Sequence, residues 1–488
     1  MPSSPMKPII QAVRKRLFIF CDGTWQDSVN KARPLTNVAT LARCLDNVAE
    51  DGYLQVSYYD NGVGDRYNPL DNVIDGATGR GISAKIRNAY TFLSHNYNFE
   101  HKDDEIILVG FSRGAFAVQC LASFISQTGL LNKHCLYYLR GLFTIWANQH
   151  LPTARDMLAK YVKMLSRPIG VYDGEPLVSE KVLMKKVQIK ACVVWDTVSS
   201  LGYRFTRLRP FSSVGSVIPA AVDHALHILA VDEHRSQFNP QIWIRKEKPE
   251  TAVKQCWFLG SHSDVGGNGD AALGAITLIW VVGQLQKISR TNFNQDEIKR
   301  HLRHRCLNWD VKTTFCGRRL KQNLAFSRLS SSGYATKSSP LWWLLGHTPR
   351  RLENAIRHQD PRLDIETFIH YTVRLSMIQD PTVCQRLRKW HTKEHNGSIS
   401  WVHNSKKLPE EKIDGDETFE TTILRIWSMD DLPKIGTDRS RFATELHAIV
   451  HDLREESHNG FGRFAPALHR GLIFENGCLS LGSMYNTN

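Results

Sequence analysis

Five residues, Gly110-Phe111-Ser112-Arg113-Gly114, constrain this chain more than any other stretch. They follow the apolar run Ile106 to Val109 and precede Ala115-Phe116-Ala117-Val118-Gln119-Cys120-Leu121-Ala122-Ser123-Phe124-Ile125. The first run is short enough for a buried strand, and the second carries the apolar repeat of a helix. A serine between two glycines at such a junction sits on a tight strand-to-helix turn. Gly110 and Gly114 leave room for the backbone to close, and the helix N-terminus aims free N–H groups at the serine. Ser112 is therefore the candidate nucleophile.

The surrounding pattern repeats that theme. Residues 17–20 (LFIF) run into Cys21-Asp22-Gly23-Thr24, and Gln55 to Tyr59 runs into Asp60-Asn61-Gly62. Val187 to Trp195 and Val253 to Leu259 each feed a polar, acid-containing turn. Helical spacing follows from Asn37 (Val38, Leu41, Leu45) and recurs at Ile86, Tyr90 and Leu93, after a glycine-rich loop at Gly76, Gly79 and Gly81. Strands alternating with helices over about 280 residues predict βαβ units and a mostly parallel sheet, whose active groups collect at the carboxyl ends of its strands.

A serine needs a base and a group that orients the base. Asp196 ends the strand KACVVW, and His262 follows the strand QCWFL within Gly260-Ser261-His262-Ser263-Asp264. Both stand at strand ends, downstream of Ser112 in the order serine, acid, histidine. They are the expected partners. Asp196 could instead cap a helix at Thr197, Asp264 is the rival acid, and His262 could be a plain loop histidine. The expected oxyanion donors are the N–H groups of Arg113 and Thr24. Asp22, Asp264 and Arg235 are expected to support the site or touch substrate.

Two further clusters stand out. Asp223, His224, His227 and Asp232-Glu233-His234-Arg235 have spacings that a helix face could turn toward a metal, yet no three-ligand motif is present. A pocket or salt-bridge role is the expectation, with no metal or cofactor. Pro340 to Arg351 places Trp342 and Trp343 beside Arg350 and Arg351. The plain reading is a core segment; the sharper one docks these four residues on an anionic lipid surface. Charge favours an anionic partner here, because residues 301–400 hold 17 basic against 7 acidic side chains within a chain of net charge +14.

The ten cysteines form no CxxC pair and read as buried thiols of a reducing compartment. The N-terminus shows no signal pattern, and Leu273 to Val282, the longest apolar run, is too short to span a bilayer. A cytoplasmic protein is the expectation. Ser330 to Ser339 reads as a break, and residues 404–420 read as a surface loop.

Seven blocks in unbroken order, FCDGTW, YYDNGVG, GATGRGISAKIRNAYTFL, DDEIILVGFSRGAFAV, VVWDTVSSLG, HALHILAVDEHRSQF and WFLGSHSDVGG, resemble the α/β hydrolases typified by the type VI secretion phospholipase effectors. The resemblance covers about residues 14–285. It implies an α/β-hydrolase-like, mostly parallel sheet and a serine esterase acting on lipid or phospholipid acyl esters, with Ser112 as nucleophile. The block Phe368 to Val373 resembles a later motif of the family and leaves His370 as the alternative base. The expected organisation is a catalytic domain at 14–295. A basic, aromatic and mainly helical C-terminal region, 296–488, is expected to pack as a cap or substrate region. The competing reading is a catalytically weak hydrolase scaffold that binds anionic membrane or nucleic acid; a nucleic-acid partner is the less expected of these.

Overall fold

The computed structural model describes residues 13–23, 35–61, 80–100, 103–166, 171–172, 175–176, 182–198, 211, 214–235, 238–243, 250–302, 350, 352, 367–379, 384–411, 473–475 and 478–480. The expectations for Thr24, Gly76, Gly79, Ser330 to Ser339, Trp342, Trp343 and Arg351 lie outside these residues.

Seven parallel strands form the central sheet. They are β1 (Lys15–Cys21), β2 (Leu54–Asp60), β3 (Glu105–Phe111), β4 (Ile189–Trp195), β5 (Val222–Ala230), β6 (Ala252–Phe258) and β7 (Thr367–Ile369). Their spatial order is β7-β6-β5-β4-β3-β1-β2. The strands are apolar on both sides because both faces of the sheet are covered. Period two sorts the side chains: Phe18 and Phe20 of β1 and Ile107 and Val109 of β3 enter one core, while Leu17, Ile19, Ile106 and Leu108 enter the other. Each fully buried side chain of this kind contributes about 1.5–3 kcal/mol.

On the first face lie α1 (Asn37–Cys44) and α7 (Ala271–Ser289). On the second lie α2 (Arg80–Asn96), α3 (Arg113–Thr128), α4 (Leu139–Ala147) and α5 (Pro152–Leu165). Among the described residues, no helix is long and apolar enough to cross a membrane. Seven cysteines among them are free and buried.

Chain direction across the sheet reverses at β1, which has β2 on one side and β3 on the other. In an open parallel sheet the crevice beyond the carboxyl ends at such a reversal is where ligands sit. Ser112 follows β3 there, and Asp22 follows β1.

Two strands depart from the sequence reading. Val222–Ala230 is a buried strand rather than a helix face, because Asp223, His224 and His227 interrupt its apolar pattern without breaking its pairing to β4 and β6. Thr367–Ile369 pairs with β6 at the sheet edge. After it come α8 (Tyr371–Gln379) and the antiparallel meander β8 (His391–His395), β9 (Ser398–His403) and β10 (Lys406–Pro409). The expected loop at 404–420 thus carries a strand from Lys406, and its part from 412 on lies outside the described residues. Its alternating Lys-Lys-Leu-Pro buries Leu408 and leaves the charges outside.

Candidate active site

The turn after β3 has the geometry its glycines predict. Ser112 takes φ 56° and ψ −119°, a conformation that costs a non-glycine residue of order 1–3 kcal/mol. Tight contact on both sides imposes it. A Cβ on Gly110 would come within 2.7 Å of the Ala115 Cα, and one on Gly114 would come within 2.1 Å of the Cys21 carbonyl oxygen. The Ser112 N–H donates to the Trp195 carbonyl at 2.9 Å, which ties the turn to the end of β4.

Asp196 follows Trp195 with φ 44°, and its N–H donates to the Ile228 carbonyl at 2.7 Å. It caps no helix. His262 opens the four-residue α6 (His262–Val265) after β6. Asn37 on α1 braces that turn, donating its backbone N–H to the Gly266 carbonyl and its side-chain amide to the Val265 carbonyl.

The three side chains meet across the strand ends. His262 Nδ1 lies 2.6 Å from Asp196 Oδ2, and His262 Nε2 lies 2.8 Å from Ser112 Oγ. All three residues are buried. Burial alone would raise the Asp196 carboxyl. The charge of Arg350 and the bond to His262 outweigh it and hold that carboxyl well below the usual carboxylate range. An ionised carboxylate only accepts hydrogen bonds, so Nδ1 carries the proton. Nε2 is then left as the acceptor for the Ser112 hydroxyl. The imidazole is clamped between the rings of Phe111, stacked at 4.8 Å, and Phe238, edge-on at 4.8 Å. A hydroxyl so placed can pass its proton to the ring as it attacks an electrophilic carbon.

The other predicted residues fall into place around this line. Asp264 does not reach the imidazole. Its carboxylate accepts from the Ser261 N–H and hydroxyl and from the Asp270 N–H, all at 2.7 Å, and so caps α6. His370 is fully buried against Phe258 and bonded to Thr372 Oγ1 at 2.7 Å. Asp22, raised by burial, accepts from Thr36, Tyr59 and the Gly23 N–H. It thereby sets Gly23 against Ser112, where an added Cβ would lie 3.4 Å from the serine Cβ. Arg113 opens the 16-residue α3, whose first N–H groups have no acceptor within the helix. Burial lowers its guanidinium to about 10.

Arg235 binds Glu233 through two bonds of 2.8 Å and lies over the Phe238 ring. Glu233 also accepts the His262 backbone N–H at 3.2 Å. Burial would raise the Glu233 carboxyl, but Arg235 draws it down to about 2. His227, lowered to about 4 by burial, sits behind Asp196 and accepts from the Thr197 N–H at 3.4 Å. Among the described residues, no three His, Cys, Asp or Glu side chains group as metal ligands.

Arg350 turns inward rather than toward a lipid surface. Of the two readings of its segment, the core one and the lipid-facing one, this residue contradicts the second: its side chain is 3% exposed and grips Asp196. Nη1 lies 2.6 Å from Oδ1, and Nη2 lies 2.7 Å from Oδ2. A buried carboxylate at a sheet end attracts whatever cation the fold can deliver, and no local pattern reports a partner 154 residues away.

A profile described as the T6SS phospholipase effector, Tle1-like, catalytic domain matches residues 15–284. The chain belongs to this family. It is 25% identical over 239 residues to the uncharacterized protein YEL023C of Saccharomyces cerevisiae, a match covering 46% of this chain and 32% of the yeast protein. The chain thus spans about a third of that relative's length. Among solved structures, the Tle1 effector bound to the VgrG spike of the type VI secretion system is 18% identical. That match covers 53% of this chain and 52% of the effector, with a TM-score of 0.27. An uncharacterized protein from Pseudomonas aeruginosa is 12% identical, covering 91% of this chain and 62% of its own, with a TM-score of 0.33.

Proposed function

We propose that the chain is a serine ester hydrolase of lipid or phospholipid acyl esters, with Ser112 as nucleophile, His262 as base and Asp196 as the group that orients the base. The observation that carries this reading is the imidazole of His262 joining Ser112 Oγ and Asp196 Oδ2 at 2.8 and 2.6 Å. Ser112 Oγ attacks the ester carbonyl while Nε2 takes its proton. The imidazolium then returns that proton to the departing alcohol, leaving an acyl-enzyme that water hydrolyses by the same route. Negative charge on the carbonyl oxygen develops at the N-terminus of α3, where the Arg113 N–H is the donor at hand. Family membership supports the lipid substrate. The surplus of basic residues between 301 and 400 supports contact with anionic lipid.

The test is labelling with a fluorophosphonate probe, followed by hydrolysis of a soluble short-chain ester and of anionic phospholipid vesicles. Wild type should label and Ser112→Ala should not. Vesicle hydrolysis should fall with rising salt while the soluble-ester rate holds. An unlabelled wild type that still binds vesicles would instead favour a scaffold that binds anionic membrane.

A further inference from the structure

Arg350 lies beyond the stretch that the family profile covers, yet it is bound to the orienting acid of the site. The contact is a fork on a fork, engaging both carboxylate oxygens of Asp196. The guanidinium is itself held, Nη1 donating to the Ala230 carbonyl at 2.7 Å and Nη2 to the Phe238 carbonyl, while the Arg350 backbone N–H donates to the Glu233 carbonyl at 3.4 Å. All three acceptors lie at or just after the end of β5. Without Arg350, the carboxylate would keep, among the described residues, the Ala230 N–H at 3.1 Å and the ring it is meant to orient.

We infer that Arg350 is a positioning residue for the proposed reaction, fixing the plane of the Asp196 carboxylate and opposing charge on His262. The inference rests on the reading of Ser112, Asp196 and His262 given above. Two effects follow. Orientation comes from the fork, because a carboxylate gripped through both oxygens cannot rotate away from Nδ1. Electrostatic restraint comes from the charge, because a buried cation beside Asp196 offsets much of that residue's pull on an imidazolium. Among the described residues, the other charged and titratable groups around the ring are Glu233 and Arg235, which pair with each other, and His227, with Asp232 and Asp264 further out. None of them replaces a guanidinium on both oxygens of Asp196.

The experiment uses the full chain, with Arg350→Lys and Arg350→Met. The rate of fluorophosphonate labelling is followed from about pH 5 to about pH 9, with thermal melting as a control. Arg350→Lys keeps the charge and loses the fork; it should label about 10-fold or more slowly, with the acid limb of the profile unmoved. Arg350→Met loses both. It should also label slowly, and its acid limb should move up by about one pH unit as Asp196 holds the imidazolium more strongly. Wild-type rates and limbs in both variants would overturn the inference, as would a Met variant slowed equally at every pH. If Arg350→Met does not fold, Arg350→Lys decides: wild-type labelling overturns the proposal, and slow labelling at an unchanged melting temperature upholds it. A wild type that fails to label, or a Ser112→Ala that labels, sinks the triad reading instead, whatever Arg350 does.

Discussion

Ser112 stores backbone strain at the point where the proposed chemistry needs its hydroxyl held against His262. Its φ of 56° is one that glycine adopts at little cost. Ser112→Gly should therefore abolish labelling yet raise the melting temperature by a few degrees, an exchange of function for stability that differential scanning calorimetry would read. Ser112→Ala, which keeps the strain, should lower kcat on a short ester by about 10³-fold or more without a gain in stability. His262→Ala should cost a similar factor, whereas His370→Ala should leave the pH profile unmoved, because His370 is bonded to Thr372. A His370 variant that lost the acid limb while His262→Ala kept it would reverse the assignment. The serine, the acid and the histidine were legible as residues because each closes an apolar strand. Asp196 was preferred to its rival Asp264 because it closes a strand, but spacing along the chain does not report which of the two side chains points at the imidazole.

At the scale of elements, the glycine-flanked turn and the loop after β5 do different work. Gly114 faces the Cys21 carbonyl so closely that Gly114→Ala must push α3 off β1. The expected result is loss of soluble, cooperatively melting protein rather than a slow enzyme. In the loop, Glu233 joins Arg235 to the His262 backbone, with its carboxyl drawn from the usual 4.5 to about 2. A carboxyl lowered by folding contributes stability that is complete above about pH 4.5 and lost as pH falls toward 2. The shift corresponds to about 3 kcal/mol. Glu233→Gln should thus be less stable than wild type at pH 7 and nearly equal to it at pH 2, as urea midpoints at the two values would report. An equal gap at both would refute the linkage. Strands β1 to β4 and β6 announced themselves by apolar runs. Strand β5 did not, because Asp223, His224 and His227 gave it the look of a polar cluster.

The molecule as a whole is joined by long-range pairs rather than by one contiguous domain sequence. Glu411, after the meander, accepts from Trp280 on α7 at 2.8 Å and from the Cys256 thiol at 3.2 Å, and it pairs with Lys254 of β6. Removing it leaves the buried Trp280 indole N–H without this acceptor and takes the carboxylate from Lys254. Glu411→Ala should lower the melting temperature by several degrees with labelling of Ser112 unchanged at 25 °C. A melting temperature equal to wild type would show that the meander does not depend on this anchor.

The chain's own pattern determined the parallel sheet, the turn at Ser112 and the strand ends that carry Asp196 and His262, since each rests on neighbours a few residues apart. Only the tertiary structure decided that Arg350 turns inward to Asp196, that Glu411 closes on β6, and that β7 completes the sheet. Buried charges pair with whichever opposite charge the fold brings within about 3 Å, and that choice belongs to three dimensions rather than to spacing along the chain.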